Sequence, residues 1–308
     1  MRKVKIYENR ALYRDSFRIE GYTFGKGKKS VCIVGNMRGN EYQQIYTCSQ
    51  IVQVLKWAEK NGHIKEGHKI LVIPSLNPYS MNIEKRFWPT DNTDINRMYP
   101  GYDQGETTQR VAAGIFNAIS DYEFGIQFCS NYLPGRFVPN VSVMTTGYED
   151  VQDAKLFGLP YVEIRHAKSY DTVTLNYNWQ IWDCKAFSFY TASNGPIDKE
   201  SAEQAVLAVQ RFLYRIGILN YDVRPGYESQ VIENTSLKSV RTKAAGIFET
   251  SVNPGDVVLK GQVLARIINP LNGEVLSEAL APCDGIIFYM FDGQMTYEKT
   301  SVFKIIPM

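Results

Sequence analysis

The sequence predicts a three-layer α/β/α domain followed by a small all-β domain. Over the first two-thirds of the chain, short apolar runs alternate with segments of helical period, which is typical of a layered α/β domain. After Leu219 the helical period disappears, and short β runs follow one another between closely spaced turn signals. We therefore place a boundary near residue 220, with an α/β domain over 1–220 and a β domain over 221–308.

The first domain shows its strands as short apolar runs and its helices as longer amphipathic segments. Strands are predicted at 30–34, 69–74, 124–128, 141–144, 161–164 and 186–190, and helices at 41–61, 107–119 and 201–216. Short connections between alternating strands and helices favour a mostly parallel sheet covered by helices on both faces.

The last part of the chain carries turn signals at near-regular intervals. They are NPGD (253–256), KG (260–261), NPLNG (269–273) and APCDG (281–285). Several short strands at such spacing predict a compact β barrel or sandwich.

Composition limits the classes of partner. The 308 residues include 34 basic and 32 acidic side chains, a net charge of +2, which gives no reason to expect a nucleic-acid or membrane-surface partner. No apolar run approaches the ~18 residues that a membrane span needs, and the N-terminus does not resemble a signal peptide. The five cysteines are scattered singly, so we expect reduced thiols and a cytoplasmic protein, and we leave assembly as a homo-oligomer open.

Four segments carry a resemblance to a known family. They are GNMRGNE (35–41), DINRMYPG (94–101), FGIQF (124–128) and the tail from AAGIFETSVNPGD (244–256) to APCDGII (281–287). In this order they resemble the succinylglutamate desuccinylase/aspartoacylase family, relatives of the zinc carboxypeptidases. The resemblance implies a carboxypeptidase-like domain with a mostly parallel mixed sheet, a C-terminal domain of the barrel-sandwich (lipoyl-like) type, and a hydrolase or deacylase acting on small N-acyl amino acids or related amides.

The zinc site that the resemblance implies is degenerate in this sequence. Family members hold zinc with two histidines and a glutamate and use a further glutamate as general base. Only Glu41 is kept; Arg38 stands at the first histidine, and arginine has no lone pair for a metal. The second histidine falls on Phe128 or a neighbour within a residue or two, and the general base falls on Tyr190 or an adjacent residue. We therefore expect no zinc ligand set and no cofactor, and a zinc mechanism that has been lost. A carboxylate-only site for Mg²⁺ or Mn²⁺, formed by Glu41 with Asp94 or Asp171, stays open.

The remaining candidates are residues for binding a small carboxylate-bearing ligand. Asn96 and Arg97 match the pair that grips the substrate carboxylate in the family, and Arg86 is a further candidate. Tyr132 and His166 are candidates for lining the same pocket, together with Tyr190. Arg38 either pairs with Glu41, three residues later, or presents its guanidinium to the ligand in place of zinc.

Two other chemistries find no support in the sequence. A carrier role needs an exposed lysine in the C-terminal domain, and there is none between Lys260 and Lys299. A serine hydrolase needs a nucleophile motif of the G-x-S-x-G type, which is absent, and Cys129 has no histidine nearby in the sequence. Two functions stay open: a deacylase with an altered, zinc-free site, with Glu41 and Arg38 as catalytic residues, or an inactive relative (a pseudoenzyme) that binds a carboxylate ligand or a protein partner.

Overall fold

A central sheet with helices on both faces organises the first part of the chain. The computed structural model describes residues 1–10, 16–130, 134–192 and 196–308. Its elements up to residue 220 are β1 (Arg2–Asn9), β2 (Phe17–Gly25), β3 (Gly27–Val34), α1 (Tyr42–Lys60), β4 (Gly67–Ile73), α2 (Pro78–Met81), α3 (Thr107–Ile119), β5 (Phe124–Cys129), β6 (Gly135–Phe137), β7 (Asn140–Thr145), α4 (Val151–Lys155), β8 (Tyr161–His166), α5 (Leu175–Ile181), β9 (Lys185–Tyr190) and α6 (Lys199–Arg215). Short 3-10 turns lie at Ile95–Arg97 and Ser169–Asp171.

The later elements are strands apart from one 3-10 turn at Asn234–Ser236. They are β10 (Gln230–Glu233), β11 (Lys238–Arg241), β12 (Gly246–Thr250), β13 (Val257–Val258), β14 (Val263–Ile268), β15 (Val275–Leu280), β16 (Gly285–Phe291), β17 (Met295–Thr296) and β18 (Ser301–Pro307). Strands β11 to β18 form two facing antiparallel sheets, ordered β11-β18-β16-β13 and β15-β14-β12-β17, around one apolar core.

The order of the nine described strands in the central sheet is β1-β2-β4-β3-β5-β9-β7-β8-β10. Strands β4, β3, β5 and β9 run parallel to one another, while β1, β2 and β7 join antiparallel to a neighbour. Because parallel strands end at the same edge of a sheet, Val34, Cys129 and Tyr190 bring their following loops together there.

Two apolar cores lie between the central sheet and the helices, one on each face of the sheet. On one face, Ile33 of β3 packs with Leu55 of α1 and Phe212 of α6. On the other face, Val34 packs with Ile115 of α3 and Trp179 of α5. Strand β3 therefore contributes to both cores, as expected of a strand in a parallel sheet that is buried on both sides.

Local signals fix where the helices begin. Helix α6 starts after Asp198, whose carboxylate accepts a hydrogen bond from the Ser201 amide. Helix α3 starts after Glu106, which forms a capping box with Gln109. Predicted and observed helices agree closely: 107–119 was expected for α3, and α1 and α6 lie within two residues of their expected bounds.

The two parts of the chain share strands in both directions. β10 extends the central sheet by pairing in parallel with β8, although it lies beyond residue 220. In return, β6 leaves the first domain and pairs with β16 of the C-terminal sheet, from Gly135 opposite Phe291 to Phe137 opposite Tyr289. The boundary near 220 stays a prediction, and the two C-terminal sheets begin only at Lys238.

The predicted fold class is confirmed: a mixed, mostly parallel sheet with helices on both faces, and additional antiparallel sheets at the C-terminus. Elements that were not predicted include the β1–β2 hairpin and helices α2, α4 and α5. Within the described residues, the helices are too short or too polar to cross a bilayer.

Candidate functional site

A cavity of about 400 Å³ opens at the edge of the sheet where β3, β5 and β9 end. Five of the residues proposed from the sequence line it: Arg38, Arg86, Asn96, Arg97 and Tyr190. Glu41 lies behind Arg38 and accepts a hydrogen bond from its guanidinium. Further side chains complete the wall; among them are Asp94, Gln127, Ser130, Arg165, Asp171, Asn176 and Ser188.

Arg38, Glu41 and Asp94 form a connected group, which we call the floor triad. The Arg38 Nη1 donates to Glu41 Oε1 at 3.1 Å, while its Nε and Nη2 donate to Asp94 Oδ2 at 3.0 and 2.9 Å. The Arg38 amide also donates to Glu41 Oε2 at 3.0 Å, and the Ser130 hydroxyl donates to Glu41 Oε1. One guanidinium is thus held between two carboxylates.

The local backbone explains why the triad forms here. The turn between β3 and α1 passes so close to residues 80–85 that a Cβ at Gly39 would lie 2.4 Å from Lys85 O, so only glycine fits. Glu41 then takes the N-cap position of α1, which aims its side chain back at Arg38. Asp94 comes from a separate loop, where its other oxygen accepts from the Asn96 amide and starts a 3-10 turn.

The triad is buried and strongly paired. Side-chain exposure is 9% for Arg38, 2% for Glu41 and 14% for Asp94. Burial by itself would lower the pKa of Arg38, but the Glu41 and Asp94 carboxylates outweigh it and raise that pKa above its ordinary value. The sequence left two roles open for Arg38, pairing with Glu41 or facing a ligand. In the structure the side chain pairs with Glu41 and also lines the cavity.

The end of β5 presents alternate residues to the cavity. Gln127 and Cys129 line it, while Phe128 points to the opposite face and packs in the core against Phe189, with 4.9 Å between ring centroids. Side chains alternate across a strand, so of the positions considered for the second histidine only those in register with Gln127 reach the cavity. Burial raises the pKa of the Cys129 thiol to about 12, so the group is protonated at neutral pH.

Alternate residues of strand β9, Ser188 and Tyr190, also line the cavity. Ser188 accepts a hydrogen bond of 2.6 Å from Asn176 Nδ2 at the start of α5. The Asn176 Oδ1 has no hydrogen-bond partner among the described residues, although the side chain is buried and lines the cavity. Burial also raises the pKa of Tyr190, so its phenol is neutral and able to donate a hydrogen bond.

Arg97 and Asn96 lie in the 3-10 turn after Asp94. The Arg97 Nη1 donates to the Tyr170 carbonyl at 2.6 Å, and its guanidinium stands over the Tyr170 ring, 5.3 Å from the centroid. The Asn96 Oδ1 accepts from the Leu175 amide at 3.1 Å and so joins the turn to the start of α5. We call Arg97 and Tyr170 the rim pair, since Tyr170 is half exposed.

A second arginine–aspartate pair was missed by sequence reasoning. The Arg165 Nη1 donates to Asp171 Oδ2 at 2.8 Å, and the Lys168 amide donates to the same oxygen at 3.0 Å. Burial alone would lower the pKa of Arg165, but its neighbours, among them the Asp171 carboxylate, raise that pKa above its ordinary value. A signal was present, because Arg165 directly precedes His166 at the end of a predicted strand, where α/β folds place functional groups.

Three proposed residues lie differently from the others. His166 is not among the residues that line the cavity; it is 59% exposed, contacts Thr145 at 3.2 Å and lies 3.9 Å from Glu233. Tyr132 lies outside the described residues. Arg86 lines the cavity, with its guanidinium 5.9 Å from the Phe87 ring centroid.

The residues present do not fit a zinc ion. Both Glu41 oxygens already accept hydrogen bonds, and the neighbouring position is a guanidinium, which cannot ligate a metal. Throughout the described part of the chain, no three His, Cys, Asp or Glu side chains converge as a metal site would require. His63 and His68 bond instead to Asn220 and Ser30, away from the cavity.

Comparisons with known proteins find a family model and a curated relative that are similar to parts of this chain. Residues 27–128 match the family model described as the succinylglutamate desuccinylase/aspartoacylase catalytic domain. A curated relative, the N-alpha-acetyl-L-2,4-diaminobutyric acid deacetylase of Halomonas elongata, is 23% identical over 282 residues and covers 85% of this chain and 77% of its own.

Solved structures agree on the fold. A succinylglutamate desuccinylase from Silicibacter sp. TM1040 matches with a TM-score of 0.80 at 17% identity, over 98% of this chain and 92% of that one. The product-bound ectoine utilization protein EutE (DoeB) from Ruegeria pomeroyi matches with a TM-score of 0.78 at 17% identity, over 95% and 90%. The resemblance to the succinylglutamate desuccinylase/aspartoacylase family that was found in the sequence is confirmed by the match of residues 27–128 to the catalytic-domain model, and these solved structures share the fold of the chain.

Proposed function

We propose that the cavity binds a small ligand of the amino-acid class, either a free amino acid or an N-acyl or related amide derivative, by its carboxylate, and that it does so without zinc. One observation carries the proposal. Arg38 and Arg165 have carboxylate partners within 4.0 Å, whereas Arg97 contacts only a carbonyl and a ring, with no acidic partner among the described residues. A guanidinium offers a planar set of donors that matches a carboxylate, so Arg97 is the position for the ligand's negative charge.

Asn96 supports the same assignment. Its Oδ1 is used by the Leu175 amide, which fixes the orientation of the side-chain amide and leaves Nδ2 as a donor beside Arg97. Two adjacent donors on one rigid turn give a carboxylate both charge and direction. The Halomonas relative acts, by its name, on an N-acetylated amino acid, which agrees with a ligand of this class.

Hydrolysis of the bound amide is a second candidate, and one observation favours it. Arg38 has five N–H groups, of which three are committed to Glu41 and Asp94 through its side chain. The remaining two are able to polarise a carbonyl oxygen, with Glu41 as the base. The geometry supports binding better than catalysis, because the Glu41 carboxylate already accepts three hydrogen bonds and is 2% exposed.

A thermal-shift screen followed by calorimetry tests the proposal. The probes are N-acetyl and N-succinyl amino acids and simple dicarboxylates, and hydrolysis is followed in parallel by chromatography. We expect at least one probe to bind, and Arg97→Ala to weaken it by about tenfold or more, since a hydrogen bond to a charged group contributes about 1.5–3 kcal/mol.

The matched control is Arg110→Ala, an exposed arginine on α3 that does not line the cavity. Binding that survives Arg97→Ala unchanged would contradict the carboxylate assignment. Turnover that is abolished by a chelator would contradict the zinc-free site.

A further inference from the structure

The charges around the cavity are separated along its depth. At the buried end, the floor triad carries two carboxylates and one guanidinium, a formal charge of −1. Near the opening, the rim pair carries one guanidinium with no acidic partner among the described residues. Arg165 and Asp171 form a neutral pair in the cavity wall, and Arg86 adds a further guanidinium to the lining.

The net charge of the floor triad is negative, whereas a metal centre would make this end of the cavity more positive. A zinc ion would bring two positive charges to Glu41, whereas Arg38 brings one, and Asp94 cancels it. A buried group of net negative charge, with little water around it, favours a cation from the ligand.

The cavity wall also has an acceptor in need of a donor. Asn176 is 4% exposed, and its Oδ1 has no hydrogen-bond partner within the described residues while its Nδ2 is bonded to Ser188. Burying a hydrogen-bond acceptor without a donor costs free energy, because the group loses its hydrogen bonds to water. A ligand N–H group that donates to Asn176 Oδ1 would remove that cost.

We infer that the cavity takes its ligand as a zwitterion, with the carboxylate at Arg97 and an ammonium group facing the floor triad. The inference rests on the proposed function, since it assigns the second charged group of the same ligand. It identifies the ligand as an amino acid with a free amine. An N-acyl amino acid that lacks any other amine would bring a neutral amide to the triad and leave its negative charge without a counter-ion.

Matched pairs of compounds test the inference. Each proteinogenic L-amino acid and its Nα-acetyl derivative is screened near neutral pH by thermal shift, and dissociation constants are measured by calorimetry for the pairs that bind. We expect the free amino acid to bind at least about tenfold more tightly than its acetyl partner.

A variant assigns that preference to the triad. In Asp94→Asn the triad becomes neutral while the shape of the side chain is kept, and we expect the preference to fall to about threefold or less. The control is Asp103→Asn, an exposed aspartate that does not line the cavity, which should leave the preference unchanged.

The possible outcomes separate the two proposals. Acetyl derivatives that bind as well as the free amino acids would overturn the zwitterion while leaving carboxylate binding intact. A preference that survives Asp94→Asn would overturn the triad as the ammonium site. Binding by neither series would overturn the proposed function, and the inference with it.

Discussion

The floor triad and the rim pair both contain an arginine, but they use it in opposite ways. Arg38 is 9% exposed and has two carboxylates as partners, so its charge is neutralised within the protein. Arg97 has a carbonyl and an aromatic ring as partners, so its charge remains available to a ligand. The cavity therefore keeps apart the arginine that pairs within the protein and the arginine that we propose for ligand recognition.

The largest effect is expected at the floor. Arg38→Ala leaves Glu41 and Asp94 buried close together without their cation, and breaking a buried pair in this way costs about 3–5 kcal/mol. Chemical denaturation should show a fall in the free energy of unfolding of that size. A fall of less than about 1 kcal/mol would mean that the triad contributes little to stability.

A smaller loss is expected at the second ion pair. Asp171 is 3% exposed and accepts from both Arg165 and the Lys168 amide, so Asp171→Asn removes a charge from two buried hydrogen bonds. We expect a loss of about 1–3 kcal/mol in the free energy of unfolding. Asp183→Asn, at an exposed aspartate, serves as the control. Equal stabilities of the two variants would contradict a structural role for the Arg165–Asp171 pair.

The rim should tolerate change with little loss of stability. Arg97→Ala removes one hydrogen bond and one ring contact at a partly exposed position, so we expect the free energy of unfolding to change by no more than about 0.5–1 kcal/mol. Ligand binding should suffer instead. A loss of stability as large as that of Arg38→Ala would erase the distinction between rim and floor.

The smallest effect concerns Cys129 beside the triad. Its pKa of about 12 lies far above neutral pH, so at pH 8 only about one thiol in ten thousand is ionised. Alkylation by iodoacetamide should therefore be very slow, and its rate should rise as pH approaches 12, because deprotonation creates the nucleophile. Mass spectrometry of the Cys129 peptide checks this against the same cysteine in the urea-unfolded chain. Equal rates would show that the pKa of the Cys129 thiol is not raised in the folded protein.

Periodicity predicted the alternating strands and helices of the first domain, including β3, β5 and β9. Arg38 and Tyr190 were assigned to a site through the family resemblance, and both line the cavity at the edge where these parallel strands end. Glu41 was predictable as a partner of Arg38 because the two are three residues apart.

The rest of the site depended on contacts between segments that are distant in the sequence. Asp94 lies 56 residues from Arg38, and Asn176 reaches Ser188 from a helix that was not predicted. Locating the position of the second histidine required a sequence alignment accurate to one residue. Neighbouring residues on a strand point to opposite faces, so Phe128 lies in the core while Cys129 lines the cavity.

Zinc content of the purified protein tests the central claim most directly. After dialysis against a small excess of zinc, elemental analysis should find far less than one zinc ion per chain, because Arg38 stands where a ligand is needed and Glu41 is already bonded. The contrary result would be one zinc per chain that is lost in Glu41→Ala and kept in Glu203→Ala, an exposed glutamate on α6. That outcome would show that Glu41 binds a metal, and that the floor triad is not the site's resting arrangement.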